Sequence, residues 1–377
     1  MKILVSGDFV ITDEYENKDL IDDSVKRLFS ESDYRILNLE APVTSKNSDK
    51  ILKTGPHLRC SAEVILDALS KLKINLLSLA NNHILDYGKQ GLSDTLSFCN
   101  HNNFDWVGVG DSRKLANTAK RIELGNKKIS IINFAENEWA NATDASSGSN
   151  PLDLIDNVNL IKKEKQEADF VFLIVHGGNE YYRLPSPKMQ KRLRFYADFG
   201  ADLIICHHTH CFSGFETYNN VPIYYGIGNF LFTKPSRHKD WYNGITIEVT
   251  LKDNNLFTKP IFTTQDQSSF YLSLAKDQKL EKFKKKFYEL SCVIVDSSKL
   301  NEKWNEYVEF KRNTFLKLWS PYTFIPNRYI KSLLLRLGIK FRAKFPLAVF
   351  LNNMRCEAHH ELSIAILESE LKHKGSN

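Results

Sequence analysis

The sequence predicts an α/β fold, and three observations carry that reading. Short apolar runs alternate with stretches whose apolar residues recur at helical spacing. Five of those runs end in Asp, Glu, Asn or His, the position at which α/β sheets collect functional groups. After about Lys276 the texture changes to Lys-rich segments of helical spacing with Leu and Phe between them. A domain over 1–275 followed by a basic, mainly helical region over 276–377 is therefore expected.

The first run, Lys2 to Ser6, is a buried strand leading to Gly7-Asp8. Arg35 to Leu39 repeats the pattern and ends at Glu40. Ala62 to Leu72 has Val64, Ile65, Ala68, Leu69 and Leu72 near a 3.6-residue period and reads as a helix. Asn75 to Ala80 is the next strand and delivers Asn81-Asn82-His83. Ile129 to Phe134 follows. The polar, Asn- and Ser-rich stretch Ala135 to Asn150 is expected to be a surface loop or a lid. Asp169 to Val175 ends at His176, and Asp202 to Cys206 ends at His207-His208-Thr209-His210. Val221 to Tyr225 and Ile245 to Leu251 read as later strands, the last as an edge or sandwich strand.

Composition excludes several classes. With 42% hydrophobic and 25% charged residues in 377, the chain is neither disordered nor of low complexity. No apolar run approaches the roughly 18 residues that span a bilayer, and MKILVSGDFV turns acidic too soon for a secretory leader. The six cysteines form no CxxC pair, which points to reduced thiols and a cytoplasmic protein. The net charge of +6 divides unevenly. From Lys276 onward there are 20 basic and 11 acidic residues, so 20 − 11 = +9, which leaves 6 − 9 = −3 for the rest.

A single Asp or Glu after a strand is ordinarily a turn former or helix cap, and Asn81-Asn82-His83 alone could be turn chemistry. Three histidines within four positions, from 11 in the chain, are harder to assign to structure. Imidazoles from His176 and the 207–210 cluster, carboxylates from Asp8 and Glu40 and the Asn82 amide make a mixed N/O set. Such a set suits one or two divalent ions of Mn, Zn or Fe. His83, beside Asn82, is placed to protonate a leaving group. Lys53, Arg59 and Arg183 read as solvated surface charges, and Cys206 and Cys211 as packing residues.

These residues also carry a resemblance. Gly7-Asp8, the segment Asn38 to Thr44 (NLEAPVT), Ala80 to Gly88 (ANNHILDYG) and His176 to Tyr181 (HGGNEY) resemble the CapA family of poly-γ-glutamate and capsule synthesis proteins. Gly200-Ala201-Asp202, His208-Thr209-His210 and Tyr225 to Phe230 (YGIGNF) extend the likeness over roughly residues 1 to 250. The resemblance implies a four-layer α/β/β/α sandwich of the calcineurin-like metallophosphatase kind, with the site at the strand ends. It implies that Asp8 and His210 hold one metal, that Asn82, His176 and His208 hold another, that Glu40 bridges them and that His83 donates a proton. Phosphoesterases of this fold usually carry a metal-binding His two residues after the first Asp, and here that position is Val10. Asp86, Glu180, Tyr181 and Asn229 are expected as supporting or substrate-binding residues.

Between Lys311 and Arg355 ten basic residues and no acidic one are interleaved with aromatics from Phe315 to Phe350. This region is either a helical cap packed on the sandwich or a basic surface that meets an anionic membrane or polymer at the inner face of the membrane. No nucleic-acid motif accompanies the charge, so nucleic acid is not an expected partner. The functional expectation is a metal-dependent, phosphoesterase-like hydrolase of cell-surface polymer synthesis, acting on an anionic polymer or phosphorylated substrate. Polymer binding or transfer without hydrolysis, and a scaffold for a polymer synthase, are the alternatives.

Overall fold

The protein is described by a computed structural model covering residues 1–319, 327, 329–330, 332–333 and 344–374. Among these residues one eight-stranded and one six-stranded sheet lie face to face. In spatial order the first sheet runs β16 (Leu272–Leu274), β15 (Asn255–Gln265), β14 (Asn243–Lys252), β1 (Lys2–Val10), β2 (Tyr34–Leu39), β3 (Leu76–Ser78) and β4 (Asp105–Val107). β13 (Asn229–Phe232) pairs with the far end of β1. The second sheet runs β11 (Phe215–Tyr218), β12 (Val221–Tyr224), β10 (Leu203–His207), β9 (Phe170–His176), β7 (Lys127–Ala135) and β6 (Lys120–Leu124). β5 (Val109–Gly110) and β8 (Gly148–Ser149) form a small ribbon. β14 lies between β1 and β15 with Ile245, Ile247 and Val249 in the core between the sheets, so of the two expected alternatives it is a sandwich strand and not an edge.

The two-residue period of the strands generates the layers. Ile3 and Val5 of β1 pack between the sheets with Ile36, Ile129, Ile131, Phe172, Ile174 and Ile205. Their neighbour Leu4 points the other way, into a core with Leu37, Leu77 and the helices α1 (Asp23–Ser30), α2 (Ala62–Lys71) and α3 (Gly88–His101). Across the molecule Val171, Leu173 and Val175 pack outward onto α5 (Leu154–Glu167) and α6 (Pro187–Asp198), beyond the short helix α4 (Arg113–Ala116). The result is an α/β/β/α sandwich with mixed sheets.

Among the described residues the C-terminal helices include α7 (Asp277–Val295), α8 (Ser297–Trp319), α9 (Lys344–Arg355) and α10 (Glu357–Lys374). α7 inserts Phe283, Phe287 and Leu290 into the inter-sheet core, where Phe212 and Phe262 pack against Phe283. Trp304, Val308 and Phe315 of α8 form a smaller cluster with Leu362 and Ile366 of α10. α10 is tied down by Glu361, which accepts from Ser186 and from Arg192 (3.0 Å). Part of the basic stretch 311–355, including Tyr322, Phe324 and Phe341, lies outside the described residues. No described helix is long and apolar enough to cross a membrane.

Candidate metal centre

The centre forms where β1, β2, β3, β9 and β10 end. Gly7 makes the first ligand possible. The register of β1 against β2 shifts between Ser6 and Asp8, a bulge that moves Asp8 from the side of Leu4 to the side of Val5. A Cβ at position 7 would lie 1.9 Å from the Gly228 carbonyl oxygen, so the glycine lets β1 pass the Gly228 turn. His208 and His210 follow β10 with φ of +83° and +53°, left-handed values uncommon for residues with a side chain, and this turn sends both rings toward Glu40.

Asp8, Glu40 and His210 place one ligand atom each within 4.8 Å of one another, as do Glu40, His176 and His208. Glu40 belongs to both groups: its Oε1 lies 3.6 Å from His176 Nε2 and 3.7 Å from His210 Nε2. The Asn82 amide oxygen is 3.1 Å from His176 Nε2, and His208 Nδ1 is 3.1 Å from that same nitrogen. Asp8 Oδ2 and both Glu40 oxygens are buried without a hydrogen-bond partner. Three orphaned carboxylate oxygens in a buried site are costly by themselves and fit a cation.

The electrostatics agree. Burial alone raises a carboxyl, yet His207 and His210 hold Asp8 well below its ordinary range. Burial and the charge of Asp8 push Glu40 well above its own. Burial works to lower His210, but Glu40 and Asp8 overrule it and push the imidazole up to about 10. Positive charge is therefore wanted between these three side chains. Val10, where a further ligand was sought, packs in the core facing α1–α3. His207 lies 3.4 Å from Asp8 Oδ1 with both ring nitrogens otherwise unpartnered.

His83 Nε2 faces the centre, 3.9 Å from Glu40 Oε1, and its Nδ1 donates to Asp86 Oδ2 (2.7 Å). Asp86 also accepts from the Leu58 amide (2.7 Å) and pairs with Lys53. Burial, then the charge of Lys53, lowers His83 below its ordinary value. Lys53 is not the solvated charge expected from sequence: it is 5% exposed and lies 3.0 Å from His83 Nδ1. Arg59 and Arg183 are also engaged, with Asp13 and Asp240. Asn229 backs His210, accepting from Nδ1 at 2.9 Å while its amide donates to the Trp241 carbonyl (3.0 Å).

Glu180 and Tyr181 belong to neither ligand group but lie beside them, the Tyr181 ring centroid 6.0 Å from that of His210, and both line a cavity of about 680 Å3 together with Asn82 and His83. Tyr181 stacks on His238 with ring centroids 3.9 Å apart. The opposite wall is C-terminal, with Tyr307, Phe310, Lys311, Asn352 and His359. The stretch after β7 is not the surface loop expected. Glu136 and Glu138 are buried, because α9 and the start of α10 cover them. Sequence reasoning missed Lys53, Glu138 and Asn38, which donates to Asp8 Oδ1 at 2.7 Å. Asn38 had a signal, lying two residues before Glu40 on the same strand parity. Glu138 had one too, as a further carboxylate beyond a strand end.

Fold and site together define an α/β sandwich with a cation-seeking N/O cluster at its strand ends. Residues 2–234 match the family described as bacterial capsule synthesis protein PGA_cap, and the chain belongs to that family. The capsule biosynthesis protein CapA of Bacillus anthracis is 30% identical over 267 residues, 65% of this chain and 64% of that one. The PGA biosynthesis protein CapA of Bacillus subtilis is 33% identical over 224 residues, 58% of each chain. The chain thus spans less than two thirds of the length of these curated relatives. A solved structure described as a novel phosphatase, from Mycoplasma pneumoniae, overlays at a TM-score of 0.37 with 14% identity, covering 77% of this chain and 98% of that one. At that distance it adds nothing about chemistry.

Proposed function

We propose that the chain is a metal-dependent, phosphoesterase-like hydrolase serving the synthesis of capsule, poly-γ-glutamate or another cell-surface polymer. The observation that carries this reading is Glu40, buried, with both oxygens unpartnered, shared by the two ligand groups and facing His83. Asp8, Glu40 and His210 would hold one divalent ion, and Glu40, Asn82, His176 and His208 a second. Nitrogen and oxygen donors of this kind suit Mn, Zn or Fe. Such ions supply Lewis-acid polarisation of an ester or phosphoryl oxygen and hydroxide near neutral pH.

The chain's own residues supply the rest. Asp86 fixes the proton of His83 on Nδ1 and leaves Nε2 facing the reacting group, where it takes up and returns a proton. Lys53 balances the buried Asp86 carboxylate. Lys311 brings positive charge to the cavity wall for an anionic polymer or phosphorylated substrate. The family and the names of the Bacillus relatives support the polymer context. Six cysteines without a disulfide support a cytoplasmic setting, with contact at the inner face of the membrane through 311–355 as part of this reading.

A second reading, binding of an acidic polymer without hydrolysis, is favoured by a groove of about 1110 Å3 beside α7. Lys239, Lys279, Lys282, Lys285 and Lys286 line it, together with Asp240, Asp266 and Glu289. Metal analysis and turnover of bis-p-nitrophenyl phosphate separate the two readings. Hydrolysis predicts bound transition metal that falls in His208→Ala, and turnover reduced about 10²–10⁴-fold in His83→Ala. Bound metal with no turnover but tight binding to an acidic polymer would favour the second reading. Metal below half an equivalent, unchanged by His208→Ala, would remove the hydrolase reading.

A further inference from the structure

Three imidazoles of the centre face a backing group. His83 Nδ1 is held by Asp86 and His210 Nδ1 by Asn229, so each ring turns Nε2 toward Glu40. His208 is set the other way round. Its Nδ1 lies 3.1 Å from His176 Nε2, while its Nε2 is buried without a hydrogen bond and has Glu138 Oε1 beside it, 3.4 Å away. Glu138 is only 7% exposed, and a buried carboxylate needs a partner of its own. Its other oxygen lies 3.4 Å from Asn352 Nδ2 on α9, and that amide nitrogen lies 3.0 Å from His359 Nδ1 on α10. Beside it, the Arg355 guanidinium covers the Trp139 ring at 4.3 Å.

We propose that Glu138 is the positioning residue for His208, and that α9 holds Glu138 in place through Asn352. This rests on the metal reading above and deepens it. A carboxylate accepting from Nε2 keeps the proton there, leaves the lone pair of His208 on Nδ1 and makes that nitrogen a better donor to a cation. Asn352 lies beyond residues 2–234, so a helix outside the family match completes the environment of a family ligand. The C-terminal region is then part of the metal centre as well as a wall of its cavity.

Cobalt(II) titration of the full chain, followed through its visible d–d absorption, tests this with His208→Ala as the reference. The proposal expects Glu138→Ala to raise the Kd of the equivalent that His208→Ala abolishes by about 10–100-fold and to move its absorption band. Glu138→Gln keeps the shape and one acceptor oxygen but drops the charge, so it should show a smaller shift in the same direction. Asn352→Ala should follow with the smallest. Far-UV circular dichroism should be unchanged in each. Wild-type Kd and band in Glu138→Ala and Glu138→Gln, with the His208→Ala equivalent lost, overturn this proposal and leave the metal reading standing. Unaltered cobalt binding in His208→Ala overturns both. If Glu138→Ala does not fold, Glu138→Gln and Asn352→Ala decide by the same criteria.

Discussion

Two regions face each other across the cavity of about 680 Å3, and they are built on different rules. On the sandwich side the functional groups are short or rigid side chains set by backbone: a bulge at Gly7, left-handed turns at His208 and His210, and strand ends in register across β9 and β10. On the helical side they are long side chains such as Lys311, whose ammonium lies 5.6 Å from the Tyr307 ring centroid. A sheet fixes direction to a fraction of an ångström, as metal ligation demands. A helix face offers reach and adaptability, which suits contact with a substrate. The sandwich side should therefore govern chemistry and the helical wall around Lys311 selection, with Asn352 behind Glu138 serving the metal side.

Changes on the two sides should separate accordingly. The largest effect is expected at Lys53→Met, which leaves the Asp86 carboxylate buried without its cation. Breaking a buried pair in this way costs about 3–5 kcal/mol, readable as a fall in the urea midpoint. Arg59→Met, whose Asp13 partner is half-exposed, should cost no more than about 1 kcal/mol. Equal losses in the two variants would break the contrast between buried and surface pairs.

Next is Glu136, buried beneath the C-terminal helices. Burial and then the charge of Glu357 push its carboxyl from the ordinary 4.5 up to about 8, against the opposing charge of Arg192. The folded protein keeps a proton there that the unfolded chain releases, so stability falls as pH rises from about 4.5 through about 8. Thermal unfolding at pH 5 and pH 8.5 should show Glu136→Gln losing less Tm than the wild type over that interval. Parallel curves would mean that the helices do not seal this residue from water. The smallest effect is expected at Lys311→Ala. It should raise KM for an anionic phosphodiester severalfold, about 1 kcal/mol, and leave kcat unchanged. A fall in kcat instead would place Lys311 within the chemistry.

Much of the fold was legible because alternation is local. Runs such as that of Phe170–His176 declare a buried strand from their own residues. The strand-end rule likewise singled out Asp8, Glu40, Asn82, His176, His208 and His210, and the structure brings them together. The rule failed where a polar residue sits in a loop that something else covers. Lys53 looks like any surface lysine until Asp86 is beside it, and Glu138 looks like lid chemistry until α9 lies over it.

The sequence by itself determined which groups stand at the ends of the strands, since side-chain direction there follows from period and position in the chain. Only the tertiary structure decided what stands behind each of them. Glu138 and Asn352 are 214 residues apart, and no local pattern brings them together. Their meeting depends on where α7 and α8 carry the chain after the sandwich is closed. That path is set by the burial of Phe283, Phe287 and Trp304 against distant partners, a sum of contacts that no window of sequence contains.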